Sequence, residues 1–190
     1  MKKLLLILLL LVSFTTRTEA QPYKNEISLT YSTFTVPQGV YIFGGVFGAV
    51  FSLGHFTFDH TVMSGALGVE YTRWVNHWFG YGGAVFGEFM TADAYSVDDD
   101  GNKTPNGKFN MAFASVTPTV KFMWFNHPHF GMYSKLGAGV CMGLSSEPTV
   151  IPSVQVSPVC MEFGGDSWRG LIEIGVGMQG IITAGVKKSF

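Results

Sequence analysis

The segment that decides the fold runs from residue 168 to residue 178 and reads WRGLIEIGVGM. Its side chains alternate between two kinds. Large apolar residues occupy one face: Ile172, Ile174, Val176 and Met178. A carboxylate and two glycines occupy the other: Glu173, Gly175 and Gly177. Successive side chains of a β-strand point to opposite faces of a sheet, so this alternation predicts a strand rather than a helix.

Seven further segments repeat this alternation, and the polar stretches between them also follow a pattern. Even numbers of alternating segments of about ten residues are typical of bacterial outer-membrane barrels, which have short periplasmic turns and longer external loops. The sequence therefore predicts an all-β fold, an eight-stranded antiparallel transmembrane β-barrel in up-and-down meander order. The predicted strands cover residues 26–35, 62–74, 78–89, 108–125, 130–144, 154–164, 168–178 and 181–190. The connections alternate between long (36–60, 91–107, 145–153) and short (76–77, 126–129, 165–167).

The faces of the strands distinguish a barrel in lipid from a soluble one. A soluble barrel of the lipocalin kind would bury its large apolar side chains inside. In this chain six charged residues fall opposite the bulky apolar set, which directs their charges into the lumen: Glu70, Glu88, Lys121, Lys135, Glu162 and Glu173. The predicted lumen charge network comprises Glu70, Arg73, Glu88, Lys121, Lys135, Glu162, Glu173 and Lys187.

This network allows two interpretations. A lumen enclosed by eight strands is barely wide enough for its own side chains, so a network of salt bridges would plug it. The alternative is a charge-lined path for ions. The size of the barrel favours the plug.

Composition limits the classes of function. The chain is 47% hydrophobic but only 13% charged, with a net charge of −1. This charged fraction is about half that of a typical soluble domain. The chain also lacks the net positive charge that is typical of proteins that bind nucleic acid. Met1-Lys2-Lys3, a short apolar run and Thr18-Glu19-Ala20 together fit a cleaved export signal. We therefore predict a signal peptide at 1–20 and a single outer-membrane β-barrel domain at 21–190.

Four stretches resemble the small outer-membrane β-barrel proteins described as the porin family or the outer membrane protein beta-barrel domain. They are residues 25–31, residues 133–135, Ser157-Pro158 with 163–165, and the glycine-containing run from Glu173 to Phe190. The resemblance implies a barrel in the cell outer membrane of a Gram-negative envelope. It also implies that the terminal Phe190 is the assembly signal read by the barrel-assembly machinery, although Lys188 departs from the usual apolar pattern. It implies no particular activity, because such barrels have many roles.

The two cysteines suggest a possible disulfide. Cys141 and Cys160 are symmetric about a hairpin centred between Val150 and Ile151, and both fall on the inward face. Directly opposed positions bring Cβ atoms within about 5.5 Å, which is near disulfide reach. The alternative is a pair of small residues in a crowded lumen, because a shift of one residue in the register would prevent bonding.

The long first loop contains an apolar run at 41–53. Val46/Phe47 and Val50/Phe51 recur every four residues, which is helical spacing. We predict a short segment that rests on the outer lipid interface or caps the barrel mouth. The rival is an extension of the second strand beyond the membrane.

Other polar residues offer no convincing site. The histidines have no metal-ligand spacing, and the run at 98–102 lacks the later acidic ligand of a calcium loop. His60 with Ser64, or His55 with Asp59, would need a third member to form a catalytic group. The sequence therefore predicts no enzyme, no metal and no cofactor.

The predicted function is a non-enzymatic structural or surface-interaction role in the outer membrane, with the lumen plugged by the charge network. The alternative is a narrow passive porin-like channel for ions or small solutes. The expected partners are outer-membrane lipid, the barrel-assembly machinery and a surface ligand reached through loops 36–60, 91–107 and 145–153, without nucleic acid.

Overall fold

The computed structural model describes residues 25–51, 56–98, 102–144 and 148–190. The predicted signal peptide at 1–20 lies outside the described residues. Within the described part of the chain, no helix has the length and apolar character needed to span a membrane. The elements are β1 (Asn25–Thr33), α1 (Val36–Phe51), β2 (Phe56–Trp74), β3 (Phe79–Val97), β4 (Lys103–His127), β5 (Phe130–Leu144), β6 (Thr149–Gly164), β7 (Trp168–Gly177) and β8 (Ile182–Ser189).

The eight strands form a closed barrel. Each strand pairs antiparallel with the next, and β8 pairs with β1. The predicted eight-stranded antiparallel meander is therefore confirmed. Because the number of strands is even, both chain ends of the barrel lie together: Asn25 and Phe190 exchange two backbone hydrogen bonds of 2.9 Å each. We call this end, which carries the connections 75–78, 128–129 and 165–167, the turn end, and the opposite end, which carries α1, the helix end.

The direction of the side chains follows the predicted alternation. On β7, Ile172 and Ile174 are exposed on the outer surface, whereas Glu173 between them is buried in the lumen. Glycine inside the barrel lets neighbouring strands approach closely: a Cβ added to Gly82 would lie 1.8 Å from the carbonyl oxygen of Tyr71. Met178 and Arg73 are among the residues that depart from the prediction. Met178 is buried because the chain leaves the strand after Gly177, and Arg73 is exposed because it follows the inward Thr72.

The strands differ in length, and this corrects the predicted loops. β1, β7 and β8 have 9, 10 and 8 residues, whereas β2 and β3 have 19 each and β4 has 25. The predicted loop 91–107 is mostly strand, since β3 runs to Val97 and β4 begins at Lys103. The predicted loop 145–153 is likewise strand from Thr149 onwards. The apolar outer face of the barrel does not continue onto the extension of β3, where Thr91 and Asp93 lie on the outer side, and this concealed the strand pattern.

The predicted loop 36–60 contains a complete helix and the start of a strand. The four-residue spacing correctly indicated a helix, which spans Val36–Phe51, four turns rather than one short segment. The rival interpretation is also partly correct, because β2 begins at Phe56, well before the predicted residue 62.

Candidate functional site

Four charged side chains from four strands meet in the middle of the lumen. Glu70 of β2 lies 2.5 Å from the Nζ of Lys121 and 3.1 Å from the Nζ of Lys135. Lys135 also forms an ion pair with Glu173 of β7. Each of these side chains is no more than 2% exposed. We call Glu70, Lys121, Lys135 and Glu173 the central cluster.

Neutral groups complete the hydrogen bonds of the central cluster. The hydroxyl of Tyr133 donates to Glu173 at 2.6 Å, and the Nζ of Lys135 donates to the Oε1 of Gln179 at 2.9 Å. The Nζ of Lys121 lies 5.0 Å from the centre of the Tyr133 ring, within range of a cation–π interaction. Buried charges are tolerated when they are paired and hydrogen-bonded in this way.

A second group of four charges lies nearer the turn end. Glu162 is 2.5 Å from both Arg169 and Lys187, and Lys187 is 2.7 Å from Glu26. Arg169 additionally donates to the backbone oxygens of Gly165, His127 and Pro128 at 3.1 to 3.2 Å. These hydrogen bonds connect the lumen charges to two of the short turns. We call Glu26, Glu162, Arg169 and Lys187 the turn-side cluster.

Each cluster contains two carboxylates and two cations, so each is formally neutral. All eight side chains are at most 8% exposed. Removing one partner of a buried ion pair costs about 3–5 kcal/mol, because the other partner is left as an uncompensated buried charge. The charges of each cluster are therefore interdependent, and together they occupy the lumen of a narrow barrel.

The predicted network overlaps with these two clusters but does not equal them. Six of its members lie in the clusters: Glu70, Lys121, Lys135, Glu162, Glu173 and Lys187. Arg73 faces outward and was wrongly included. Glu26 and Arg169 were missed, although a signal existed. Glu26 precedes the inward Ser28 by two residues, and Arg169 lies four residues before the inward Glu173.

Glu88 is buried but holds the helix rather than joining the clusters. Its Oε2 accepts hydrogen bonds from the Oγ1 of Thr35 at 2.7 Å and from the Nε2 of Gln38 at 3.2 Å. Thr35 and Gln38 form a capping box at the start of α1: the backbone N–H of Gln38 donates to Thr35 Oγ1, and the N–H of Thr35 donates to Gln38 Oε1. Glu88 thus attaches the capped first turn of α1 to the inner wall of β3.

Glu88→Ala is expected to loosen the start of α1 while leaving the strands paired. The variant removes the acceptor of two buried hydrogen bonds, and a hydrogen bond to a charged group contributes about 1.5–3 kcal/mol. Amide hydrogen exchange at residues 38–43 should accelerate by about tenfold or more. Glu88→Gln is the matched control, because its amide oxygen can still accept both bonds. Unchanged exchange in the alanine variant would show that Glu88 does not anchor the helix.

The two cysteines are not bonded to each other; both are free and buried. In the register of β5 and β6, Gly143 pairs with Thr149, so the numbering of paired residues is symmetric about 146. Cys141 therefore lies opposite Ile151, and Cys160 lies opposite Tyr133. The two positions are roughly 25 Å apart along the sheet. The hypothesis of a disulfide failed because it placed the hairpin centre about four residues too late.

The structure describes the other sites considered in the sequence only in part. Asn102 donates its backbone N–H to the side chain of Asp98 at 2.7 Å, between the end of β3 and the start of β4. Among the described residues, no three histidine, cysteine or acidic side chains lie together as a metal-binding group. His55, Asp59 and His60 lie outside the part of the chain whose side chains are described.

No family model, no curated protein and no solved structure matches this chain. The resemblance to small outer-membrane barrel proteins therefore stays a prediction from the sequence.

Proposed function

We propose that this protein is a non-enzymatic outer-membrane barrel with a closed lumen, which serves the envelope through its structure or through surface contacts at the helix end. The central cluster is the observation that best supports a closed lumen. Four side chains from β2, β4, β5 and β7 meet across the interior, and all four are almost completely buried. A solute would have to separate these pairs to pass.

The outer surface supports a location in lipid. β7 has 10 residues, and a tilted strand of about 9–11 residues spans a bilayer. Its outward side chains Ile172, Ile174 and Val176 are exposed and apolar. Large exposed apolar surfaces of this kind are rare on soluble monomers and mark contact with a membrane or a partner.

Exposed aromatic residues near the turn end further support this location. Trp78, Trp124 and Trp168 are each about half exposed, and Trp78 stacks on Phe122 with ring centres 6.2 Å apart. Aromatic girdles lie at the membrane interfaces of outer-membrane barrels. The short turns would then face the periplasm, and the extended hairpins of β2 to β6 would face outward.

Single-channel recording in a planar bilayer tests the closed lumen. We expect no discrete conductance steps from the refolded protein, because an ion could pass only after the ion pairs of both clusters had separated. Folding is checked beforehand by the mobility shift between unboiled and boiled samples on a gel. Reproducible steps that change in Glu70→Gln would contradict the proposal and favour the alternative, a narrow passive channel lined by these charges.

A further inference from the structure

An apolar cavity of about 190 Å³ lies between α1 and the inner wall at the helix end. Val36 and Val40 of α1 form one side, and the wall contributes Met90, Phe113, Ile151 and Met178. The surface of the cavity is entirely apolar. Tyr41 also lines the cavity and is uncharged near neutral pH, and burial raises the pKa of its hydroxyl further. The cavity thus offers no group that would bind a polar solute.

On one side of this cavity the strands of the barrel wall are shorter at the helix end. β6 begins at Thr149 but pairs with β7 only from Gln155. β2 begins at Phe56 but pairs with β1 only from Ala66. The three short strands between these edges, β7, β8 and β1, therefore end below the rim formed by the longer strands.

An outer groove runs between α1 and the ends of β7 and β8. It has a volume of about 440 Å³ and is lined by apolar residues that include Phe43, Val176 and Ile181. Val36 and Val40 line both the groove and the inner cavity, so the two spaces adjoin at these two side chains. Val176 continues the exposed apolar row of Ile172 and Ile174 on β7. The groove is thus continuous with the surface that would contact lipid.

We propose that the groove and the cavity bind one hydrocarbon chain, the acyl chain of a membrane lipid, which enters beside α1 over the short strands. This inference rests on the proposed location in the membrane. Enclosed apolar cavities of about 150 Å³ accept hydrocarbon molecules such as benzene, and the cavity beneath α1 is of similar size, although it is open on one side. Methionine side chains adapt to irregular apolar shapes, and Met90 and Met178 lie in the wall. Glu88, Thr35 and Gln38 hold the helix in place and so preserve the space beneath it.

Photocrosslinking in vesicles tests this proposal. The full mature protein is reconstituted into dimyristoylphosphatidylcholine vesicles that contain a small fraction of a phosphatidylcholine with a diazirine at the end of one acyl chain. After illumination, labelled peptides are mapped by mass spectrometry. We expect label on Met90, Phe113 and Met178 inside the mouth, in addition to label on the outward Ile172 and Ile174.

Ile151→Trp fills the cavity and is expected to reduce the inner label about tenfold, the change that corresponds to a loss of about 1.4 kcal/mol in binding. Ile174→Trp, on the outer surface, is the matched control and should leave the inner label unchanged. The gel-mobility shift establishes that each variant is folded. If Ile151→Trp does not fold, the labelling map of the unmodified protein still shows whether the inner residues are labelled.

The outcomes separate this proposal from the proposed location. Label confined to Ile172, Ile174 and the rest of the outer band would overturn the acyl-chain site but support the barrel in lipid. Inner label that persists in Ile151→Trp would also overturn the site. Label on neither surface would contradict the location in the membrane and, with it, the acyl-chain site.

Discussion

Lys135→Met is expected to lower the free energy of unfolding by about 3–5 kcal/mol. The ammonium of Lys135 forms ion pairs with both Glu70 and Glu173 and has no exposed surface. Its removal leaves two buried carboxylates with Lys121 as their remaining cation in the central cluster. Urea-induced unfolding of the refolded protein, followed by circular dichroism, measures the change.

Lys188→Met is the matched control for this prediction. Lys188 carries the same charge but faces outward, with its Nζ 5.6 Å from the centre of the Trp168 ring. An exposed cation–π contact contributes only about 0.5–1 kcal/mol. Adding Glu173→Gln to Lys135→Met should restore part of the lost stability, because it removes one uncompensated carboxylate. Equal small losses in both lysine variants would show that the central cluster does not stabilise the barrel.

With the barrel in the proposed membrane location, Ile172→Arg is expected to lower its stability in vesicles by about 2–4 kcal/mol, the cost of a cation on the lipid face near the middle of the bilayer. Ile172 lies in the middle of β7 and is 41% exposed. On a soluble barrel the same exposed position would tolerate arginine within about 0.5 kcal/mol. The folded fraction in vesicles, measured by the gel-mobility shift across a urea series, distinguishes the two cases.

Thr104→Arg serves as the control for the lipid-face substitution. Thr104 is exposed on the part of β4 that extends beyond the short strands at the helix end. We expect arginine there to leave the folded fraction unchanged, because this extension would stand in water. A tolerated Ile172→Arg would contradict the location of the barrel in a membrane.

The faces of the strands were predictable from the sequence because their alternation is local. On β5, Lys135 and Tyr133 share one face, and Leu136 and Val140 share the other, as the two-residue period requires. Placing the charged set inside and the apolar set outside followed from the same period. Arg73 directly follows the inward Thr72 and therefore has the opposite parity, so it faces outward, contrary to the prediction.

The partners of the lumen charges were less predictable, because pairing across a barrel depends on register and tilt. Arg169 reaches Glu162 on the adjacent strand but also the backbone of the turn at 127–128. Glu88 has the same inward parity as Glu70, yet it lies near the helix end and binds Thr35 and Gln38. Parity gives the face of a residue but not its height in the lumen.

By itself, the sequence determined the number of strands, their antiparallel order and the two faces of the wall, because each depends on a period of two residues and on short connections. The tertiary structure alone decided the extended hairpins, the free cysteines, the membership of the two charge clusters and the cavity beneath α1. These features depend on inter-strand register and on unequal strand lengths. Both are set by contacts between residues far apart in the chain.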